Sequence, residues 1–113
     1  MEIKGTDYRV WFDEASSTVF FEGIFRLSSQ EYSDIGQFME QVLEKQPTQI
    51  KLDLTALNFL NSSGINMLAK FVITVRKKGE VGLTVLGSQQ IPWQGKSLPN
   101  LKKLYPDLVL TIQ

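Results

Sequence analysis

The chain has 113 residues, of which 42% are apolar and 21% are charged, a composition typical of one globular domain with a single core. Twelve basic residues balance twelve acidic ones, which makes the chain a poor candidate for binding nucleic acid or an anionic membrane. It has no cysteine and no histidine, which excludes a disulfide framework and removes the commonest general base and zinc ligand.

The residues that begin the chain, Met1–Lys4, lack the apolar core of a signal peptide, and no apolar run reaches membrane-spanning length. We therefore expect a cytoplasmic protein without a membrane partner. Residues 1–113 are predicted to form a single domain. No residue cluster indicates a metal site or a cofactor site.

Two adjacent strands are predicted first. Thr6–Asp13 alternates apolar and polar residues, and Glu14–Ser17 is a polar break of hairpin length. Thr18–Glu22 is aromatic and β-branched, and the residues up to position 27 continue it. The two strands should pair antiparallel. Trp11 is expected to pack at an edge or to face a partner.

A helix follows, because Ser28 and Glu31 have the spacing of a capping box. The residues behind it recur at helical spacing and predict one buried stripe: Tyr32, Ile35, Phe38, Met39, Val42 and Leu43. Pro47 should end this helix before the next strand.

The central stretch predicts a strand, a helix and a second strand. Residues 50–54 alternate as a buried strand does, and Leu57–Ser63 is interpreted as a loop. A long apolar helix opens at Asn61–Gly64 and should stop at Gly79, after three cations in its last turn. Val81–Leu86 is then predicted to be a strand parallel to the strand over residues 50–54.

The C-terminal part is less regular. Gly87–Lys96 contains a proline and two glycines and is predicted to be a loop, in which Trp93 either contacts a partner or fills the core edge. Ser97 could cap a short helix over Leu98–Tyr105. Leu108–Ile112 is predicted to be the final strand.

The element order predicts an α/β domain with a mixed sheet of about five strands, the first one antiparallel, and about three to four helices. Open sheets of this kind place sites beyond the carboxyl ends of their strands. We expect one recognition surface there, bordered by Arg26, Ser28, Ser29, Asn58, Asn61 and Ser62.

The two serines at the opening of the central helix are the chemically informative residues. The first N–H groups of a helix lack partners and carry partial positive charge, so a serine there can accept a phosphate. The alternative is that Ser62 and Ser63 only cap the helix. No base lies beside Ser62 in the sequence and no paired acids are present, so no catalytic residue is assigned and the chain is not expected to be an enzyme.

The pattern L-x-x-L-x-F-L-N-S-S-G-I, followed by an apolar helix, a K-K-G stop and another strand, resembles the STAS domain of bacterial anti-sigma factor antagonists. Gly23 also falls where that family has a glycine before its first helix. The resemblance implies a signal-transduction protein of transcription regulation, phosphorylated at Ser62. It implies binding of an anti-sigma factor that is also a serine kinase, and of a cognate phosphatase. Ser63 and Gly64 complete the implied partner site.

The sequence departs from the family at Asn61, where an acidic residue is usual. Two functions therefore stay open. The first is a switch in which phosphate on Ser62 blocks an anti-sigma factor or switch kinase; the second is a STAS-like adaptor in a signalling or transport assembly, with no phosphorylation. The S-S-G context favours the first and Asn61 the second. The oligomeric state also stays open, with a homodimer among the options.

Overall fold

The computed structural model describes residues 1–113. Six strands and three helices alternate along the chain. In chain order they are β1 (Glu2–Lys4), β2 (Tyr8–Asp13), β3 (Thr18–Phe25), α1 (Ser29–Glu44), β4 (Gln49–Leu60), α2 (Ser62–Lys78), β5 (Gly82–Gly87), α3 (Pro92–Leu104) and β6 (Val109–Ile112).

All six strands form one sheet in the order of the sequence, β1 to β6. The β1–β2 and β2–β3 pairs are antiparallel, and the three later pairs are parallel. The three helical crossovers all step in the same direction along the sheet. Because such crossovers are right-handed, all three helices pack on one face, where α1 contacts α2 and α2 contacts α3.

The opposite face, here called the helix-free face, is lined by the side chains that alternate with the buried ones. Its members include Arg9, Trp11, Phe20, Glu22, Ile24, Lys51, Ala56, Phe59 and Val109. Trp11 stacks on Phe20 across β2 and β3, with ring centroids 5.0 Å apart. Of the two roles expected for Trp11, it has the packing role, and it is half-buried.

One cluster of buried apolar side chains fills the space between the sheet and the helices. The six buried residues of α1 are the six of the predicted stripe. Ser28 caps α1 through the predicted box with Glu31, and Gly79 ends α2 in a left-handed conformation with φ +77°. The prediction of an α/β fold with a mixed sheet is therefore confirmed.

Three details differ from the sequence-based prediction. β1 was missed, because a three-residue edge strand gains its structure from pairing with β2 rather than from a pattern of its own. The predicted Leu57–Ser63 loop is wrong, since β4 continues to Leu60 and only Asn61 separates it from α2. Gly23 lies inside β3, as the continuation of that strand predicts, at an irregularity where its φ is +106°.

The largest difference concerns α3, which starts at Pro92 and includes most of the predicted loop. Ser97 is therefore not a cap. Gln94 explains the earlier start, because it is fully buried and its Nε2 donates to the carbonyls of Leu54 and Leu57 at 2.7 and 3.1 Å. β5 pairs with β4 only as far as Asp53, so these carbonyls lie where β4 has lost its neighbouring strand.

Candidate functional site

Asn61 makes the turn from the end of β4 into α2. Its backbone is extended, with φ −80° and ψ 176°, and its Oδ1 accepts the N–H of Gly64 at 3.1 Å. Its own N–H donates to the carbonyl of Phe25, at the end of the neighbouring strand β3. Asn61 is therefore the N-cap of α2, and it joins the helix start to the carboxyl edge of the sheet.

Tyr32 of α1 connects the two helix starts. Its hydroxyl lies 2.6 Å from Asn61 Oδ1 and 2.8 Å from the carbonyl oxygen of Phe25. Burial raises the pKa of Tyr32 above its ordinary value, so the phenol keeps its proton at neutral pH and can donate it to one of these two acceptors. This contact orients the N-cap of α2 through a residue of another helix.

Gly64 is required by the close packing around this contact. A Cβ at position 64 would overlap the side chain of Leu60 and lie 2.8 Å from the Tyr32 hydroxyl oxygen. The glycine of the S-S-G motif therefore lets α2 approach both the sheet and α1. Its N–H also donates the capping hydrogen bond to Asn61.

Ser62 and Ser63 occupy the first two positions of α2, and both are exposed. Since Asn61 makes the cap bond, capping does not explain either hydroxyl. The first turn of α2 contains no acidic residue, so its partial positive charge is not offset within the helix. A phosphate on Ser62 would lie at unpaired N–H groups and face solvent.

The start of α1 lies beside the start of α2. Ser28 Oγ accepts the N–H of Glu31, and the Glu31 carboxylate accepts the N–H of Ser28 at 3.0 Å. The hydrogen bonds that the Glu31 carboxylate accepts from Ser28, first from its backbone N–H and then from its side chain, hold the pKa of Glu31 below its ordinary value. Ser28 is therefore committed to capping, whereas Ser29 is exposed and its hydroxyl takes no part in the capping box.

A groove of about 500 Å³ runs between α1 and α2 from these helix starts. Most of its lining residues are polar: the lining consists of Ser29, Tyr32, Ser33, Gly36, Gln37, Glu40, Ser63, Asn66, Met67, Lys70, Phe71 and Thr74. Gly36 lines this groove and faces open space, since a Cβ there would meet nothing within 4 Å. We call Ser29, Ser62, Ser63 and this groove the helix-mouth surface.

Neither Arg26 nor Asn58 is among the residues that line this groove. The Arg26 guanidinium stacks over the Phe59 ring, 4.6 Å from its centroid, and so turns toward the helix-free face. Asn58 is exposed in β4, and its carbonyl accepts Nε1 of Trp93 at 3.1 Å. Trp93 itself packs against the core edge, one of the two roles expected for it.

Sequence reasoning missed Tyr32 as a site residue and assigned it to the core stripe alone. Its contact with Asn61 joins residues 29 positions apart, so no local spacing could reveal it. Gly36 was missed as well; a glycine within a predicted helix was the available signal. None of the three helices is both long and apolar enough to span a bilayer.

A six-stranded mixed sheet with all three helices on one face, and with a capped helix start at its carboxyl edge, is the architecture of a STAS-type α/β domain. The chain belongs to the STAS domain family, whose model matches residues 16–90. No curated protein matches the chain by sequence.

Three solved structures share the fold. One is a chain in the crystal structure of the diguanylate cyclase SiaD in complex with its activator SiaC from Pseudomonas aeruginosa; the TM-score is 0.72 at 13% identity, over 100% of this chain and 99% of that one. SiaC of Pseudomonas aeruginosa itself gives 0.65 at 16% identity, over 100% and 96%. An anti-sigma factor antagonist from Mycobacterium paratuberculosis gives 0.65 at 22% identity, over 88% and 83%.

Proposed function

We propose that this STAS domain is a regulatory protein-interaction module that binds its partner through the helix-mouth surface. The partner class is an anti-sigma factor or serine kinase, and the process is bacterial transcription control. The family match and the fold shared with an anti-sigma factor antagonist support this class. The groove beside Ser63 offers hydroxyl, amide and charged groups to a polar partner segment.

The proposed control is phosphorylation of Ser62. A phosphoserine carries close to two negative charges at neutral pH, and the open helix start of α2 stabilises that charge in the free domain. A partner that docks on the same helix start would have to bury those charges. Phosphate on Ser62 would therefore weaken the complex, and a cognate phosphatase would restore it.

The observation that carries this proposal is that Asn61 caps α2 and Ser62 does not. Asn61 holds the cap bond at 3.1 Å, which leaves the Ser62 hydroxyl exposed with no structural task in the helix. A serine that capped α2 would be shielded by its own hydrogen bond. Asparagine caps a helix about as well as the acidic residue that is usual at this position in the family.

A second candidate is an adaptor that activates an enzyme without being phosphorylated. The likeness to the activator SiaC and to the SiaD–SiaC complex, which extends over the whole chain, favours it. The neutral Asn61 favours it too, because the charge that the family usually has beside the serine is absent.

Both candidate functions are tested by purifying the chain from its native cells together with the proteins that it binds. We expect phosphopeptide mapping to find phosphate on Ser62, and Ser62→Ala to abolish it while Ser63→Ala does not. With the co-purified partner identified, Ser62→Asp should weaken binding by tenfold or more, about 1.4 kcal/mol, with the fold intact.

Ser63→Asp adds the same charge one residue further into the helix, on the same helix-mouth surface, and should therefore weaken binding as well. An unmodified Ser62 under every growth condition would leave the adaptor function. Equal binding by wild type, Ser62→Asp and Ser63→Asp would remove the helix-mouth surface as the partner site.

A further inference from the structure

The helix-free face contains most of the large apolar side chains that the protein exposes. Ile24, Phe59 and Val109 are exposed by 43%, 36% and 54%, and all three lie on this face. Ile24 and Phe59 are direct neighbours in the register of β3 and β4. An apolar pair beside an arginine-capped aromatic ring has the composition of a protein-binding surface rather than of a solvated one.

The charges around this pair follow a simple order along β3 and the residue after it. Glu22 and Ile24 alternate with the buried Phe21 and Phe25, so they lie on the helix-free face. Arg26 directly follows β3 and reaches the same face over the Phe59 ring. In chain order these side chains are negative, apolar and positive. All three are exposed, and the protein's two ion pairs, Arg9–Glu2 and Lys45–Glu14, include neither Glu22 nor Arg26.

We propose that the occupant of this surface is a second copy of the same chain. The two-fold axis lies between the two sheets, perpendicular to the strands and level with Ile24. It makes the two β3 strands antiparallel. It places Ile24 on Ile24 of the other copy and brings each Glu22 to the other copy's Arg26. The order negative–apolar–positive is complementary to itself under this symmetry, which is the requirement for a closed dimer.

The side chains beside β3 are compatible with this pairing. Ala56 is the neighbour of Glu22 on β4, and its single methyl group leaves space above the strand. The Arg26 guanidinium lies over the Phe59 ring, 4.6 Å from its centroid, so its charge is on the helix-free face. Because Phe59 is level with Ile24 in the register, the same axis places Phe59 opposite Phe59 of the other copy.

The contact is small. Four strands spaced about 4.8 Å apart and about five residues rising 3.3 Å each give on the order of 300 Å² of sheet plane per copy. Stable dimers bury about 800 Å² per partner, so the dimer should be weak and reversible. Self-association must therefore be measured at concentrations up to about 1 mM.

Analytical ultracentrifugation of the whole chain tests the pairing through charge reversal. We expect the wild type to dimerise reversibly. Glu22→Arg and Arg26→Glu should each weaken self-association by about tenfold or more, because both symmetric ion pairs become like-charge pairs. The double variant should recover dimers, and mixing the two single variants should form a heterodimer.

Lys51→Glu is the matched control: it changes the charge by as much as Arg26→Glu does, on the same face. Lys51 is level with Thr18, about six residues from Ile24 along the strands. Lys51→Glu should leave the dimer intact, as should Ser62→Asp, whose site begins a helix on the other face. A wild type that stays monomeric throughout overturns the proposal. So does a mixture of the single variants without heterodimer, the result expected if this face binds a different protein.

Discussion

Replacing Asn61 by alanine measures which residue caps α2. The variant removes the acceptor of the Gly64 N–H, a hydrogen bond of 3.1 Å, and leaves the other cap contacts in place. The Tyr32 hydroxyl keeps the Phe25 carbonyl at 2.8 Å, so no buried hydroxyl loses its only partner. The expected loss is therefore that of one N-cap, about 1 kcal/mol of unfolding free energy, or about 4 °C in Tm for a domain of this size.

Urea denaturation with linear extrapolation resolves a difference of this size. Ser62→Ala is the matched control, and because Ser62 is exposed and does not cap, it should change the unfolding free energy by less than about 0.5 kcal/mol. Asn61→Asp should keep or slightly raise stability, since a carboxylate caps as well and suits the helix dipole. If Ser62→Ala cost as much as Asn61→Ala, the serine would be the cap, and the main support for a free phosphorylation site would be lost.

Three further predictions concern stability. Gln94→Leu should cost about 3 kcal/mol or more, seen as a lower urea midpoint, because it leaves the carbonyls of Leu54 and Leu57 and a third backbone group without partners in the interior; a loss below 1 kcal/mol would contradict this bridging role. Gly79→Ala should cost about 1 kcal/mol by the same measurement, from backbone strain alone, since φ is +77° and a Cβ would meet nothing within 4 Å. Glu31 has a pKa lowered by hydrogen bonding in the folded state, so its contribution is complete above the unfolded-state pKa and is lost as the pH falls through the folded one. Glu31→Gln should therefore flatten the acid side of the stability–pH curve, and an unchanged slope would contradict the capping-box assignment.

Features that depend on near neighbours in the chain were predictable. The buried stripe of α1 follows from helical spacing, and the capping box needs only Ser28 and Glu31 three positions apart. The end of α2 follows from a glycine after a basic turn, because glycine adopts the left-handed conformation without the strain of a side chain. The central βαβ unit with Ser62 at its helix start rests on the same kind of local pattern.

The missed features depend on partners far away in the chain. β1 exists because β2 supplies its hydrogen bonds. The start of α3 is held by Gln94 against carbonyls 37 and 40 residues earlier, whereas the local pattern of prolines and glycines reads as a loop. Asn61, the cap of α2, makes its second side-chain contact with Tyr32, which lies on a different helix.

By itself, the sequence of this protein determined the fold class, the cap of α1, the stop of α2 and the position of two hydroxyls at one helix start, since each follows from interactions within a turn or two of the chain. Only the tertiary structure decided that Asn61 leaves Ser62 exposed, that Arg26 faces away from it across the sheet, and that one sheet face has no helix. Those outcomes depend on how distant segments pack and on the direction of successive crossovers, and such long-range contacts leave no periodic trace in the sequence.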